Sequence, residues 1–217
     1  MKKKDGEIII RLLATLHQTY PHLHHYLNFS NPLELLVATI LSAQVRDEIV
    51  NTTTPALFAK YRKAEDYANA DLQTLISMVK TITFSATKAK HIKESCTILR
   101  DKYMGNVPQK MEELIELPGI GRKSANAILQ NAYNKVEGII VDTHVLRVPF
   151  RLGLTTTDKN AEKAERELME ILPKAEWKEF PWLMKSHGRA VCKAPTPTCS
   201  ACPVEKLCPK NNVTKKF

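Results

Sequence analysis

Residues 111–133 read MEELIELPGIGRKSANAILQNAY. Met111, Leu114 and Ile115 give one short apolar face, and Ala125, Ile128, Leu129 and Ala132 give a second, both at helical spacing. Between them, Leu117-Pro118-Gly119-Ile120-Gly121 breaks the pattern. Pro118 is expected to end the first helix. Gly119 and Gly121 permit positive φ and let the backbone approach a partner closely. The second helix then opens with its amides and its positive dipole end pointing outward, which is an anion site. An ordinary αα-hairpin turn is the simpler reading. Two glycines around one apolar residue, followed by Arg122-Lys123, favour the anion site.

Outward from this segment the chain keeps helical periodicity. Ile9, Leu12, Leu13 and Leu16 mark a helix over 6–19, and Asn31-Pro32 reads as an N-cap and first-turn proline for one through Leu41. Asp47 is placed to cap another through Leu57. Further helices are expected over 71–80, 86–103, 109–116, 122–133, from Asp142 to Arg151, and near 159–171 and 179–188. No segment sustains a period of two. The reading is all-α, about ten helices and no sheet. Seven glycines in 217 residues suit a helical chain with few special turns.

Lys and Arg number 32 against 23 Asp and Glu, a net charge of +9. A basic chain of this size points to a polyanion, most often nucleic acid; a solvated basic surface is the alternative. The opening MKKKDGEIII is basic, but its apolar run is short and stops at Arg11, so it does not read as a signal peptide. No stretch approaches the roughly 20 apolar residues of a membrane span. The expectation is a cytoplasmic, nucleoid-associated monomer with no membrane partner.

Cys192, Cys199, Cys202 and Cys208 fall close together with the spacing C-x6-C-x2-C-x5-C. Four such thiols can form two disulfides, hold zinc, or hold an iron–sulfur cluster. A reducing compartment disfavours disulfides. Four-cysteine zinc sites usually carry two C-x2-C knuckles, and only Cys199 and Cys202 form one here. The longer arms suit a cubane whose irons each take one thiolate, so the spacing favours iron–sulfur with zinc second. Pro195, Pro197 and Pro203 stiffen the arms. Cys96 lies instead on the apolar stripe Ala89, Ile92, Cys96, Leu99 and Tyr103, and reads as core.

Most lysines are solvated surface charges. Lys123 stands out by its place in the first turn of a helix, where the dipole disfavours a cation. Partly buried there, it would lose its proton more readily than its ordinary value of about 10.4 suggests. A neutral amine is a nucleophile able to form a Schiff base at a sugar carbon. Asp142, before Thr143-His144-Val145, is on its own terms a good N-cap.

Three strings, in order, resemble the endonuclease III family of helix-hairpin-helix DNA glycosylases that carry a [4Fe-4S] cluster. They are LPGIGRKSA; VDTHVLR, with Asp142 nineteen residues after Lys123; and HGRAVC, which runs into the four-cysteine loop. LNFSNPLELLVATILSAQ, residues 27–44, is similar to the family's early helix and DNA-penetrating turn. The resemblance spans nearly the whole chain, and its cluster spacing lifts iron–sulfur above zinc.

The resemblance implies a bifunctional glycosylase and AP lyase of base excision repair. Such an enzyme flips an oxidised pyrimidine out of duplex DNA, releases it, and nicks 3′ to the abasic site by β-elimination. Lys123 matches the nucleophile. Asp142 matches the aspartate that helps activate the lysine and stabilises charge developing on the sugar. Gln44 matches the residue that fills the hole left by the flipped base. Gly119, Gly121 and Arg122 would meet phosphate, as would Lys193 in the cysteine loop. Cys192, Cys199, Cys202 and Cys208 would hold the [4Fe-4S] cluster. His144 and His187 read as structural.

Two departures bear on substrate range. The penetrating turn has Val45-Arg46 before Asp47, so Arg46 adds a cation beside Gln44 that can contact phosphate or base. The family's Gly-Leu/Phe-Tyr-x-x-Lys-Ala loop reads Thr83-Phe84-Ser85-Ala86-Thr87-Lys88-Ala89, without the glycine and tyrosine. Phe84 takes the wedge position and is either an intercalating wedge or a core aromatic.

The implied architecture is a six-helix lobe over 23–136 and a cluster lobe made of 1–22 with 137–217. The alternatives are a monofunctional adenine or mismatch glycosylase of the same superfamily, and a non-catalytic iron–sulfur DNA-binding or electron-transfer protein. The first usually lacks a lysine at the hairpin; the second leaves Lys123 and Asp142 without a role.

Overall fold

The computed structural model describes residues 3–23, 26–215 and 217. Among them there are eleven α-helices and no strand. In chain order these are α1 (Lys3–Thr19), α2 (Pro32–Ser42), α3 (Asp47–Lys60), α4 (Ala64–Asn69), α5 (Leu72–Met78), α6 (Ser85–Tyr103), α7 (Met111–Leu114), α8 (Arg122–Tyr133), α9 (Thr143–Arg151), α10 (Ala161–Ile171) and α11 (Phe180–Ala190). None is long and apolar enough to cross a membrane.

The chain divides into two compact units: Met1–His24 with Val136–Phe217, and His25–Lys135. The His25–Lys135 unit is built around α2. Leu35, Leu36, Val37, Ala38, Ile40 and Leu41 are all buried, so this helix is apolar on every side and must sit at the centre. It packs against α3, α6 and α8. Leu57, Leu75, Ile92, Leu99, Leu114, Ile128 and Leu129 close the core around it. Cys96 is fully buried in this core, which pushes its thiol up to about 12.

Several helix ends follow their sequence signals, and others do not. Asn31 caps α2, its Oδ1 accepting from Glu34 N at 2.9 Å, with Pro32 in the first turn. The N-cap of α3, however, is Arg46; Asp47 lies inside the helix, where its charge still favours the positive end. The helix before the glycine turn stops at Leu114, ahead of Pro118. The six-residue α4 was outside the expected set: it is too short to show a period, and it brings the helices of this unit to seven.

The other unit wraps α1, α9, α10 and α11 around a second core. Ile9, Leu12, Leu13 and Leu16 of α1 meet Val145, Val148, Leu168, Phe180, Leu183 and Met184 there. Gly188 sets the approach of α9 to α11. A Cβ at that position would lie 2.5 Å from His144 Nδ1 and 3.0 Å from Arg147 Nη2.

Candidate nucleic-acid interface and cysteine loop

In the His25–Lys135 unit the glycine turn separates its two glycines by role. Gly119 is left-handed, φ +84, and faces the His91 side chain on α6. Ser95 of α6 ties the turn down, its Oγ donating to Pro118 O at 3.0 Å. Gly121 does not use its freedom of φ: its φ is −95, extended, and it is the N-cap of α8. A Cβ there would meet nothing within 4 Å, so the backbone is open to a partner. Arg122 and Lys123 follow in the first turn, both exposed. Lys123 is thus not partly buried, because α8 turns its apolar face, Ala125, Ile128 and Leu129, inward and its start outward.

Four exposed side-chain-bearing residues in this unit have left-handed backbone; Met104 and Asn134 are the C-caps of α6 and α8, where that conformation is ordinary, and the other two precede helices. Gln44, between α2 and α3, has φ +57, and Phe84, before α6, has φ +58. Phe84 is 64% exposed, which removes the core-aromatic reading. Strained and solvent-facing residues are unfavourable for folding alone, so they point to a surface that meets something else. Arg46 is exposed beside Gln44.

Sequence reasoning missed Lys88. It is 5% exposed, and Nζ donates to Leu41 O at 2.8 Å and Ala43 O at 2.6 Å. Burial holds its pKa below the ordinary lysine value. The signal was present: Lys88, Ile92, Cys96 and Leu99 share one stripe of α6, so a charge interrupts an otherwise apolar row.

In the other unit Asp142 is the N-cap of α9. Its Oδ1 accepts from His144 N at 2.8 Å and from Val145 N at 2.9 Å. Both cap bonds fall on one oxygen, which leaves Oδ2 outside the cap. From here a chain of contacts runs to the cysteine loop. Arg147 Nη2 donates to His144 Nδ1 at 3.2 Å, and Arg147 Nε donates to Cys192 O at 3.3 Å. Because a guanidinium can only donate, His144 Nδ1 is the acceptor and its proton sits on Nε2. Burial lowers the His144 pKa; the Asp142 charge opposes this, and Arg147, Lys185 and Arg189 add to it.

Arg151 is the buried organiser of the loop. Nη1 donates to Lys193 O at 2.8 Å and approaches Cys192 Sγ at 3.5 Å, while Nη2 donates to Pro195 O at 3.1 Å. The C-terminal segment closes over the same loop: Phe217 N donates to Pro197 O, and Ser200 N donates to Phe217 O. Lys193 projects from the loop and is exposed.

Cys192, Cys199, Cys202 and Cys208 line one cavity together with Arg151 and His187, and all four are free thiols. Burial pushes the Cys202 thiol up to about 11 and raises Cys208 as well. Ionising these thiols is costly there, a cost that a bound cation would offset. His187 is buried on the same cavity, with Tyr20 Oη 3.0 Å from its Nδ1 and Cys202 Sγ 3.7 Å from its Nε2. Among the described residues no three His, Cys, Asp or Glu side chains form a ready single-ion site.

Comparison with known proteins gives one consistent result. Residues 37–174 match the HhH-GPD superfamily of base excision DNA repair proteins. The chain is 43% identical to endonuclease III of Synechocystis sp. over 91% of its length and 90% of that protein's. It is 37% identical to endonuclease III of Escherichia coli over 92% and 93% of the two chains. Among solved structures, a trapped endonuclease III–DNA covalent intermediate is 41% identical with a TM-score of 0.88, covering 94% of this chain and 96% of that one. A thermostable thymine-DNA glycosylase shares the fold, with a TM-score of 0.82 at 20% identity.

Proposed function

The chain belongs to the HhH-GPD superfamily of base excision DNA repair proteins, in its endonuclease III family, and on that premise we propose how its residues act. It is a bifunctional DNA glycosylase and AP lyase of base excision repair, acting on oxidised pyrimidines in duplex DNA. The observation that carries the lyase half is the similarity, over nearly the whole chain, to an endonuclease III trapped as a covalent DNA intermediate.

Lys123 is the nucleophile we assign. Its neutral amine attacks C1′; the glycosidic bond breaks, and the electron pair leaves with the protonated base. The sugar ring opens to a Schiff base between Nζ and C1′. Loss of a proton from C2′ then drives out the 3′ phosphate by β-elimination. The exposed start of α8 suits this role, since Nζ is open to a sugar and the helix amides are open to a phosphate. The amine must lose its proton before it can attack. Asp142 is assigned to assist that removal and to stabilise positive charge at the sugar, with Oδ1 held by the helix cap.

Gln44, Arg46 and Phe84 form the assigned DNA-inserting surface, and Gly119, Gly121, Arg122 and Lys193 the assigned phosphate contacts. We assign Cys192, Cys199, Cys202 and Cys208 as ligands of a [4Fe-4S] cluster, supported by their spacing, by the cavity they share and by the Arg151 donor at Cys192 Sγ. Its task there is structural, and the location is cytoplasmic.

Borohydride trapping tests the assignment of Lys123. Wild type is expected to form a covalent adduct with abasic-site DNA, and Lys123→Ala none. An adduct that survives Lys123→Ala moves the nucleophile elsewhere.

A further inference from the structure

The turn that presents Gln44 has a defined geometry. Ala43 has φ −58 and ψ 115, Gln44 has φ +57, and Val45 N donates to Ser42 O at 3.1 Å. Those values make Ser42–Val45 a type II β-turn with Gln44 at the position that favours glycine. A type I turn would join the same ends and would give Gln44 a comfortable negative φ. The two differ by rotation of a single peptide plane, the one between Ala43 and Gln44. The carbonyl that marks the orientation of that plane is Ala43 O.

Lys88 Nζ donates to that oxygen at 2.6 Å and to Leu41 O, one of the last carbonyls of α2, at 2.8 Å. If the plane flipped, Ala43 O would swing away and leave a buried ammonium short of an acceptor. The negative end of the α2 dipole helps offset the burial of the charge. The lysine therefore prefers the strained turn over the relaxed one.

We propose that Lys88 is a positioning residue that locks the Ala43–Gln44 peptide and so holds the Gln44 side chain in its left-handed, DNA-inserting direction. This rests on the assignment of Gln44 as the residue that fills the hole left by the flipped base. Lys88 touches no substrate; it acts through the backbone of the turn.

Two readouts on the full-length protein test it. The Cα and Cβ chemical shifts of Gln44 report the sign of its φ without DNA. Unstacking is followed by the fluorescence of 2-aminopurine placed opposite a tetrahydrofuran abasic analogue. In Lys88→Met, Gln44 is expected to move to shifts of negative φ, and the fluorescence response to fall about tenfold. Gln44→Ala is expected to show a similar fall, with the double variant no worse than either single one. Lys88→Arg keeps a charged donor, and is expected to retain the positive-φ shifts and a response within about threefold of wild type.

The proposal is overturned if Gln44 keeps positive φ in Lys88→Met, or if the two losses multiply in the double variant. Should Lys88→Met not fold, a Lys88→Arg protein that keeps positive φ yet loses the response overturns it as well. A Gln44→Ala protein with full response would instead remove the assigned role of Gln44, and the chemical shifts would still decide whether Lys88 sets the turn.

Discussion

Phe84 shows how single positions divide between stability and use. It combines a left-handed backbone with a side chain that is 64% exposed. A non-glycine residue in that conformation costs about 1–2 kcal/mol, and so exposed a ring recovers little of it by packing. Phe84→Gly is therefore expected to stabilise the protein by about 1 kcal/mol in urea unfolding, and to weaken binding to abasic-site duplex severalfold. Loss of stability in this variant would mean that the ring packs where the structure leaves it open. His144 carries a pH dependence. Its folded pKa is lowered, so the unfolded chain binds a proton that the native one refuses. The stability contributed by neutral His144 is complete above its ordinary value of 6.5 and is lost as pH falls below it. Between pH 7.5 and 5, wild type is expected to lose more stability than His144→Gln, read from urea midpoints at each pH.

At the scale of elements, the helix ends carry much of the organisation. Lys88 and Lys93, both on α6, each cap another helix. Lys93 Nζ donates to Ala68 O at 2.8 Å and Ala70 O at 2.6 Å at the end of α4, as Lys88 does at the end of α2. One helix thus fixes the carbonyl ends of two others. Asp142 combines a cap with an assigned chemical role, and two substitutions separate them. Asn keeps a capping oxygen, so Asp142→Asn should stay within about 0.5 kcal/mol of wild type, while Asp142→Ala should lose about 1 kcal/mol. Both should slow base release by on the order of a hundredfold or more, measured in single turnovers. If Asp142→Asn releases base at the wild-type rate, the aspartate is only a cap.

At the scale of the molecule, two cores are held by different means. The His25–Lys135 unit closes around α2, whose residues Leu35 to Leu41 are all buried. In the other unit the loop over 192–208 has no helix longer than one turn and reaches the core through Cys192 and Val204. It is held by Arg151, by the C-terminal segment and, on the assignment made above, by a cluster bound to four thiolates. Binding energy at such a site is folding energy. Purified protein is expected to be brown, and removal of its iron by chelation should raise hydrogen exchange across 137–217 while 26–135 stays protected. Equal loss of protection in both units would show that the cluster supports the whole molecule, and a colourless, zinc-loaded protein would remove the cluster assignment.

The sequence by itself determined the helical class, most helix positions, the glycine turn and the family, because each is written in local spacing: a 3.6-residue period, a cap, or a run such as LPGIGRKSA. It also marked the four cysteines, whose separation is a local property. It did not yield the short α4, the cap at Arg46 or the exposure of Phe84 and Lys123, since burial depends on which face meets a neighbour far along the chain. Lys88 is the clearest case. Its partners lie 47 and 45 residues away, and its place in an apolar row of α6 marks it as buried without saying which acceptors it meets. Only tertiary packing brings that charge to carbonyls at another helix's end, because a buried ammonium must find acceptors and the last carbonyls of a helix have no partner within it.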